Sequence, residues 1–181
     1  DVVGLDTLVH VANGIYENCP NDEAHELFQL PDFISKMMEN KWLGSKTGQG
    51  FYKKEGKEIL SLDLNTLEYR ASKRASFATL ELTKTIDKPI DRFKVLVKGK
   101  DKAGEFYRKN FAAMFAYCSN RIPEISDDFY KIDDAMKAGF GWENGPFEIW
   151  DAIGVEKGIE LMKTEGYEPA KWVTEMLASG S

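Results

Sequence analysis

The sequence is short of the residues on which self-sufficient catalytic and metal sites are usually built. Two cysteines, Cys19 and Cys118, and two histidines, His10 and His25, are spread over 181 residues. Two cysteines make no disulfide framework, and reduced thiols in a cytoplasmic protein are the expectation. Neither histidine has a Cys-x-x-Cys or His-x-x-x-His partner, so no metal ligand set is expected. No apolar run approaches the ~18–20 residues of a membrane span, and no basic-then-apolar leader opens the chain. An apolar fraction of 43%, with 12% aromatic residues and a net charge of only −6, excludes disorder. There is enough chain for one generous globular domain or two small ones packed together.

The modest net charge conceals a pattern. Residues 1–70 carry 7 basic and 12 acidic side chains, residues 71–110 carry 11 and 5, and residues 111–181 carry 6 and 13. The cationic middle suits either a solvated helical surface paired with acidic neighbours or a patch for a phosphorylated ligand. Nucleic acid is not expected, because the molecule is anionic as a whole and shows neither a zinc-finger nor an RNP signature.

Helical periodicity dominates. Leu5, Leu8, Val9, Ala12, Ile15 and Tyr16 form one apolar stripe that Pro20 ends. A short helix is expected behind Pro31, presenting Phe33, Ile34, Met37 and Met38. Gly44, Gly48 and Gly50 then break the pattern, and residues 50–70 read as a small β-hairpin with a polar turn at Asp63–Thr66, the only sheet expected. Helices return after residue 72, one around Phe77 and Leu80 and another behind Pro89 that Gly99 stops. A long helix is expected over 102–119, with Pro123 at a junction. Further helices are expected over 129–138, from Pro146 to a break near Gly154, over 155–165 and over 170–178.

The chain also repeats itself. DVVGLDTLVHVA at 1–12 answers DAIGVEKGIELM at 151–162 at one offset, 150 residues. Phe33, Ile34, Met37 and Met38 answer Trp172, Val173, Met176 and Leu177 at an offset of 139. The 11-residue difference reads as a shorter loop in the second repeat. Two amphipathic units in the same order, with Asp and Gly retained, favour real duplication. Each repeat has an apolar face it cannot bury alone, so the two are expected to pack as a pseudo-dimer. The fold expected is therefore mainly α: a first repeat over 1–70 with the hairpin, linking helices over 71–119 and a second repeat over 120–181. Both ends fall inside a repeat, and a fragment of a larger protein is expected.

Few motifs point to chemistry. Gly139-Phe-Gly-Trp-Glu-Asn-Gly145 has the wrong spacing for a dinucleotide fingerprint and follows a helix instead of a strand. Its residues suit Gly139 as a helix C-cap, Pro146 in a first turn and Glu148 at the positive end of the helix dipole. Gly44-Ser-Lys-Thr-Gly-Gln-Gly50 carries the letters of a phosphate loop in the wrong order. It reads as a tight turn in which Gly48 and Gly50 supply positive φ, with Lys46 as a candidate phosphate contact. Asp133 and Asp134 read as caps opening a helix, His10 as a surface or interface residue and His25 as solvated. No Ser, Cys or carboxylate stands at a triad spacing from either histidine.

LGSKTGQGFY at 43–52, GLDTL at 4–8 and IDDAMKAGFGWENGPFEIWDAIG at 132–154 resemble the C-terminal region of the NAD-dependent 3-hydroxyacyl-CoA dehydrogenases of fatty-acid oxidation. The resemblance covers nearly the whole chain and is closest to the long form, in which two helical copies follow one Rossmann domain, as in multifunctional proteins that also carry an enoyl-CoA hydratase domain. It implies a parent that oxidises (S)-3-hydroxyacyl-CoA to the 3-ketoacyl-CoA. NAD and the catalytic His, Glu and Ser are expected on the missing Rossmann domain, so no catalytic or cofactor-binding residue is carried over to this chain. Asn120-Arg121 matches the family's Asn-Arg motif in the second copy. In the long form that copy faces the first, so Asn120 is a relic of the motif rather than a catalyst. Lys46 and Asn120 stand as the candidate substrate-side residues. The implied partners are the Rossmann domain, an acyl-CoA, a fused hydratase domain and a second copy in a homo-oligomer. A cleft role suits an apolar helical surface, since an acyl chain gains about 0.8 kcal/mol per buried CH₂. The alternative is a helical oligomerisation scaffold without substrate contact.

Overall fold

Apolar stripes at the helical period and glycine or proline at their ends divide the chain into nine α-helices and one small sheet among its described residues. The computed structural model describes residues 1–180, and Ser181, the last residue of the expected second repeat, lies outside the described residues. The chain forms two compact units, Asp1–Arg74 and Ala75–Ser181.

In the first unit, α1 (Leu5–Asn18) is followed by a 3₁₀ turn (His25–Phe28) and α2 (Asp32–Glu39), with Pro31 at the N-cap. A second 3₁₀ turn (Ser45–Thr47) leads into β1 (Tyr52–Glu55), β2 (Glu58–Leu62) and β3 (Tyr69–Ala71). The expected hairpin is thus a three-stranded antiparallel meander in the order β1-β2-β3, with Leu62 opposite Tyr69. The third strand is made possible by Asp63, whose Oδ1 accepts from the Asn65 and Thr66 amides and turns the chain back. Leu5, Ile34, Met37 and Leu62 form the buried core, with Phe33, Trp42, Leu43, Phe51 and Tyr69 packed against it.

The second unit holds α3 (Ala78–Thr83), α4 (Pro89–Leu96), α5 (Lys102–Asn120), α6 (Phe129–Phe140), α7 (Pro146–Ile153), α8 (Val155–Thr164) and α9 (Lys171–Ala178). The long helix α5 lies along α8 and against α7, burying Phe111, Ala112, Phe115 and Ala116. Phe115 stacks on Trp150 of α7 with ring centroids 4.9 Å apart. Phe111 extends the stack on the other side of Phe115, each pair adding about 0.5–1.5 kcal/mol beyond area burial. A cis peptide at Ile122–Pro123 turns the chain from α5 toward α6. Helix α6 continues past Gly139 and is capped at Gly141, whose φ of 66° gives the left-handed end. Gly139 is an ordinary helical residue there, because the backbone turns only where φ becomes positive.

The two stretches expected to be repeats share a backbone feature. Gly4 (φ 107°, ψ 138°) and Gly154 (φ 105°, ψ 129°) adopt the same conformation, open to few residues but glycine, and each is the N-cap of the helix that follows. In both repeats a second helix, α2 or α9, then returns its apolar face, burying Ile34 and Met37 in one case and Val173 in the other. The repeats differ in cover. Leu161 on α8 is 5% exposed beneath α5, whereas its counterpart Val11 on α1 is 51% exposed.

Candidate functional site

The glycine-rich segment folds around the first residue of the chain. Asp1 accepts from the Phe51 amide through Oδ1 (3.0 Å) and from the Tyr52 amide through Oδ2 (2.9 Å), while its carbonyl accepts from the Ser45 amide (2.9 Å). The Leu5 amide donates to the Leu43 carbonyl at 3.0 Å. A side chain at Gly44 or Gly50 would collide with Asp1. Gly44 and Gly48 have positive φ. Gly50 does not: it is required by this close approach and not, as the spacing suggested, by a left-handed turn. Lys46 lies in the adjoining 3₁₀ turn with Nζ 2.5 Å from Asp6 Oδ1, and the pair is partly exposed. The hydrogen bond from Lys46 holds the Asp6 carboxyl below the usual carboxylate range. The charge of Lys46 therefore fastens the loop to α1.

Asn120 ends α5 in the other unit. Its neighbours are tightly engaged. The buried Ser119 offers its carbonyl to the Trp172 indole at 2.9 Å, and the Arg121 guanidinium sits 4.7 Å from the centre of the Tyr117 ring and 3.0 Å from Glu124. Cys118, two residues before Asn120, is pushed up to about 11 by burial, with the Asp133 charge adding to the shift and Arg121 opposing it.

The carboxylate of Asp133 projects from the middle of α6 and does not open that helix. It caps α7, accepting from the Phe147 amide at 2.8 Å and the Glu148 amide at 3.1 Å. Burial raises its pKa, against the pull of those two amides. Glu148 accepts from the Gly145 amide at 2.9 Å and pairs with Lys137 at 2.6 Å, which together lower its pKa, the lysine foremost. The expectation for Glu148 at the start of α7 thus holds, with α6 supplying two partners that local sequence could not reveal.

Helices α6, α7 and α9 and the start of α8 enclose a groove of about 560 Å³. Phe129, Phe147, Trp172 and Met176 form its apolar wall, and Asp134, Glu148 and Asp151 stand along it with Lys137 as the only cation of the lining. The groove was not legible in the sequence, since its wall joins residues 129 and 176, although the aromatic spacing of 129–150 was the signal.

The histidines carry no chemistry together. His10 is exposed on α1. His25, expected to be solvated, is half-buried and stacked on Tyr16 at 4.1 Å because the 3₁₀ turn folds it back on α1. Among the described residues, no group of three or more His, Cys, Asp or Glu side chains could hold a metal ion, and no helix is long and apolar enough to cross a membrane. The glycine run at 139–145 does not fit a dinucleotide: it joins two helices, and the Gly145 amide is taken by Glu148. In the cationic middle segment, Lys94 and Lys109 each pair with an acid three or four residues earlier on the same helix, and Lys84, just past the end of α3, pairs with Glu81, as a solvated surface would.

The family model described as "3-hydroxyacyl-CoA dehydrogenase, C-terminal domain" matches the chain in two segments, residues 1–54 and 106–181. The chain belongs to this family. The two matched segments contain α1–α2 and α8–α9, the elements that repeat. The chain is similar to the "Probable 3-hydroxyacyl-CoA dehydrogenase" of Bacillus subtilis (strain 168), with 43% identity over 181 residues, covering 100% of this chain and 23% of that protein. It is similar to the "Fatty acid oxidation complex subunit alpha" of Psychrobacter cryohalolentis, 27% identical over 99% of this chain and 24% of the relative. The protein of the same name in Acinetobacter baylyi is 28% identical over 89% of this chain and 20% of its own length. The chain thus spans less than a quarter of the length of these curated relatives. No solved structure matches it.

Proposed function

We propose that this family member is the substrate-side and assembly module of a 3-hydroxyacyl-CoA dehydrogenase of fatty-acid oxidation, a cytoplasmic protein. The observation that carries this reading is the match of one family model to two segments of the chain, 1–54 and 106–181, and the matching backbone at Gly4 and Gly154 supports it. The parent oxidises (S)-3-hydroxyacyl-CoA, and NAD belongs to a Rossmann domain that this chain does not contain. A fused enoyl-CoA hydratase domain and a second copy of the parent are further partners of the same reading. Within the module, 1–70 and 120–181 act as the repeats and 71–119 as the bridge. Lys46 and Asn120 are the substrate-side positions. Lys46 acts by holding the glycine loop on α1 through Asp6, and Asn120 by ending α5 beside the buried Ser119.

Mixing the chain with a separately produced NAD-binding portion of the B. subtilis relative tests the proposal. NADH formation from a 3-hydroxyacyl-CoA is expected from the mixture and not from the chain alone. A stable complex with no gain in turnover would favour the oligomerisation scaffold instead. Two features give that second reading its footing: the half-exposed Leu8 and Val11 on α1 form an apolar face suited to a partner helix.

A further inference from the structure

Residues 72–77 join β3 to α3 without regular structure, and residues 71–76 are exposed without a break. No apolar stripe runs through Ser72-Lys73-Arg74-Ala75-Ser76, so nothing in it packs on a core. Both ends are held. The Ser72 hydroxyl donates to the Ile59 carbonyl at 3.1 Å, and the Phe77 carbonyl accepts from the Leu80 and Glu81 amides. Between these ends, among the described residues, Lys73, Arg74, Ala75 and Ser76 make no hydrogen bond or ion pair. The boundary of the two compact units falls between Arg74 and Ala75, and the buried clusters of the units share no residue. Two later connections that carry lysine are fastened instead. Between α3 and α4, Arg92 reaches back to the Ile86 and Asp87 carbonyls at 2.6 and 3.4 Å, and Pro89 follows Lys88. Between α4 and α5, Arg108 grips the Val97 and Gly99 carbonyls on either side of Lys98.

We propose that residues 72–77 are a proteolytic processing site, cut after Lys73 or Arg74 by an endopeptidase of basic specificity while both units stay folded. The segment offers what that chemistry needs. A protease cleft takes up its substrate as an added strand, through main-chain hydrogen bonds, and the main-chain groups of residues 73–76 are free to make them. A carboxylate in the specificity pocket receives the basic side chain, and neither Lys73 nor Arg74 has an acid to release first. Water then adds across the peptide bond. At Arg74–Ala75 the carbonyl carbon ends as a carboxylate and the nitrogen as an ammonium, with no other reactant consumed. The cut parts α1, α2 and the sheet from α3–α9. It removes no buried contact, because neither cluster includes residues 72–77. The inference does not rest on the proposed function, since it concerns only the link between the two units.

The test is timed digestion of the 181-residue chain with a trace of trypsin, with the first products identified by intact mass. The first cut is expected after Lys73 or Arg74, giving two fragments that accumulate together with an unchanged circular dichroism spectrum. Replacing both residues, Lys73→Gln with Arg74→Gln, should slow the first cut about tenfold, because basic residues within helices become available only through local opening. The exposed, unpartnered positions of both side chains mean that the double variant should keep the thermal midpoint of the unaltered chain. A first cut at any other lysine or arginine would overturn the proposal. So would a double variant cut as fast as the unaltered chain, or fragments that lose their helical signal as soon as the link is broken.

Discussion

Asp101 and Asp133 do the same work at two helix starts, and their surroundings push them in opposite directions. Asp101 accepts from the Thr79 and Gly104 amides at 2.9 and 3.1 Å, tying α3 to the first turn of α5. Those hydrogen bonds, from Thr79 first, bring it down from 3.8 to about 2. Asp133 makes the equivalent pair of bonds from a buried position, and burial raises it. For Asp101 the unfolded chain holds the extra proton, so its contribution to stability is full above about pH 4 and is lost as the pH falls toward 2. Urea unfolding followed across that range should show a shallower acid loss for Asp101→Asn than for the unaltered chain; equal slopes would contradict the assignment. The cysteines give a second test. Cys118, raised to about 11 by burial, should resist iodoacetamide at neutral pH in the native protein while the exposed Cys19 reacts. Equal labelling of both thiols would show that the end of α5 is open. Neither role of these residues was legible locally: Asp133 looked like a cap for its own helix, whereas its partners lie 14 and 15 residues ahead.

Element boundaries were legible where a residue dictates the backbone by its own chemistry. Pro31, Pro89 and Pro146 each stand at a helix start, and Gly154 separates α7 from α8 as its place in the repeat implied. Boundaries that depend on tertiary partners were not. Two glycines, 139 and 141, offer the same local signal, and only the second turns left-handed. The third strand required Asp63 to hold two amides, and the need for Gly50 came from the Asp1 side chain 49 positions earlier. The repeated glycine yields a prediction at this scale. Gly154→Ala forces a side chain into φ 105° and should cost about 1–3 kcal/mol, read as a lowered urea midpoint with an unchanged slope. Nothing crowds the new methyl group but Lys157 at 3.8 Å, so the loss would be conformational. A neutral Gly154→Ala would mean that α7 and α8 can join without this special backbone.

Across the whole molecule the most legible feature was the mainly helical build with one small sheet, and the offsets of 150 and 139 residues are the basis of the expected duplication. What the offsets could not show was that the two repeats differ in what covers them. The first has its glycine loop over the shared helix pair, and the second has the long helix α5 over α8. The substrate-side role proposed above has the chain contribute to another domain's chemistry. That contribution should be read in selectivity. The decisive measurement is kcat/KM for short- and long-chain 3-hydroxyacyl-CoA substrates, followed by NADH absorbance, for the NAD-binding portion of the dehydrogenase with and without this chain. Addition of the chain is expected to raise turnover and to shift the ratio between the two substrates; identical values for both substrates in its presence and absence would contradict a substrate-side role.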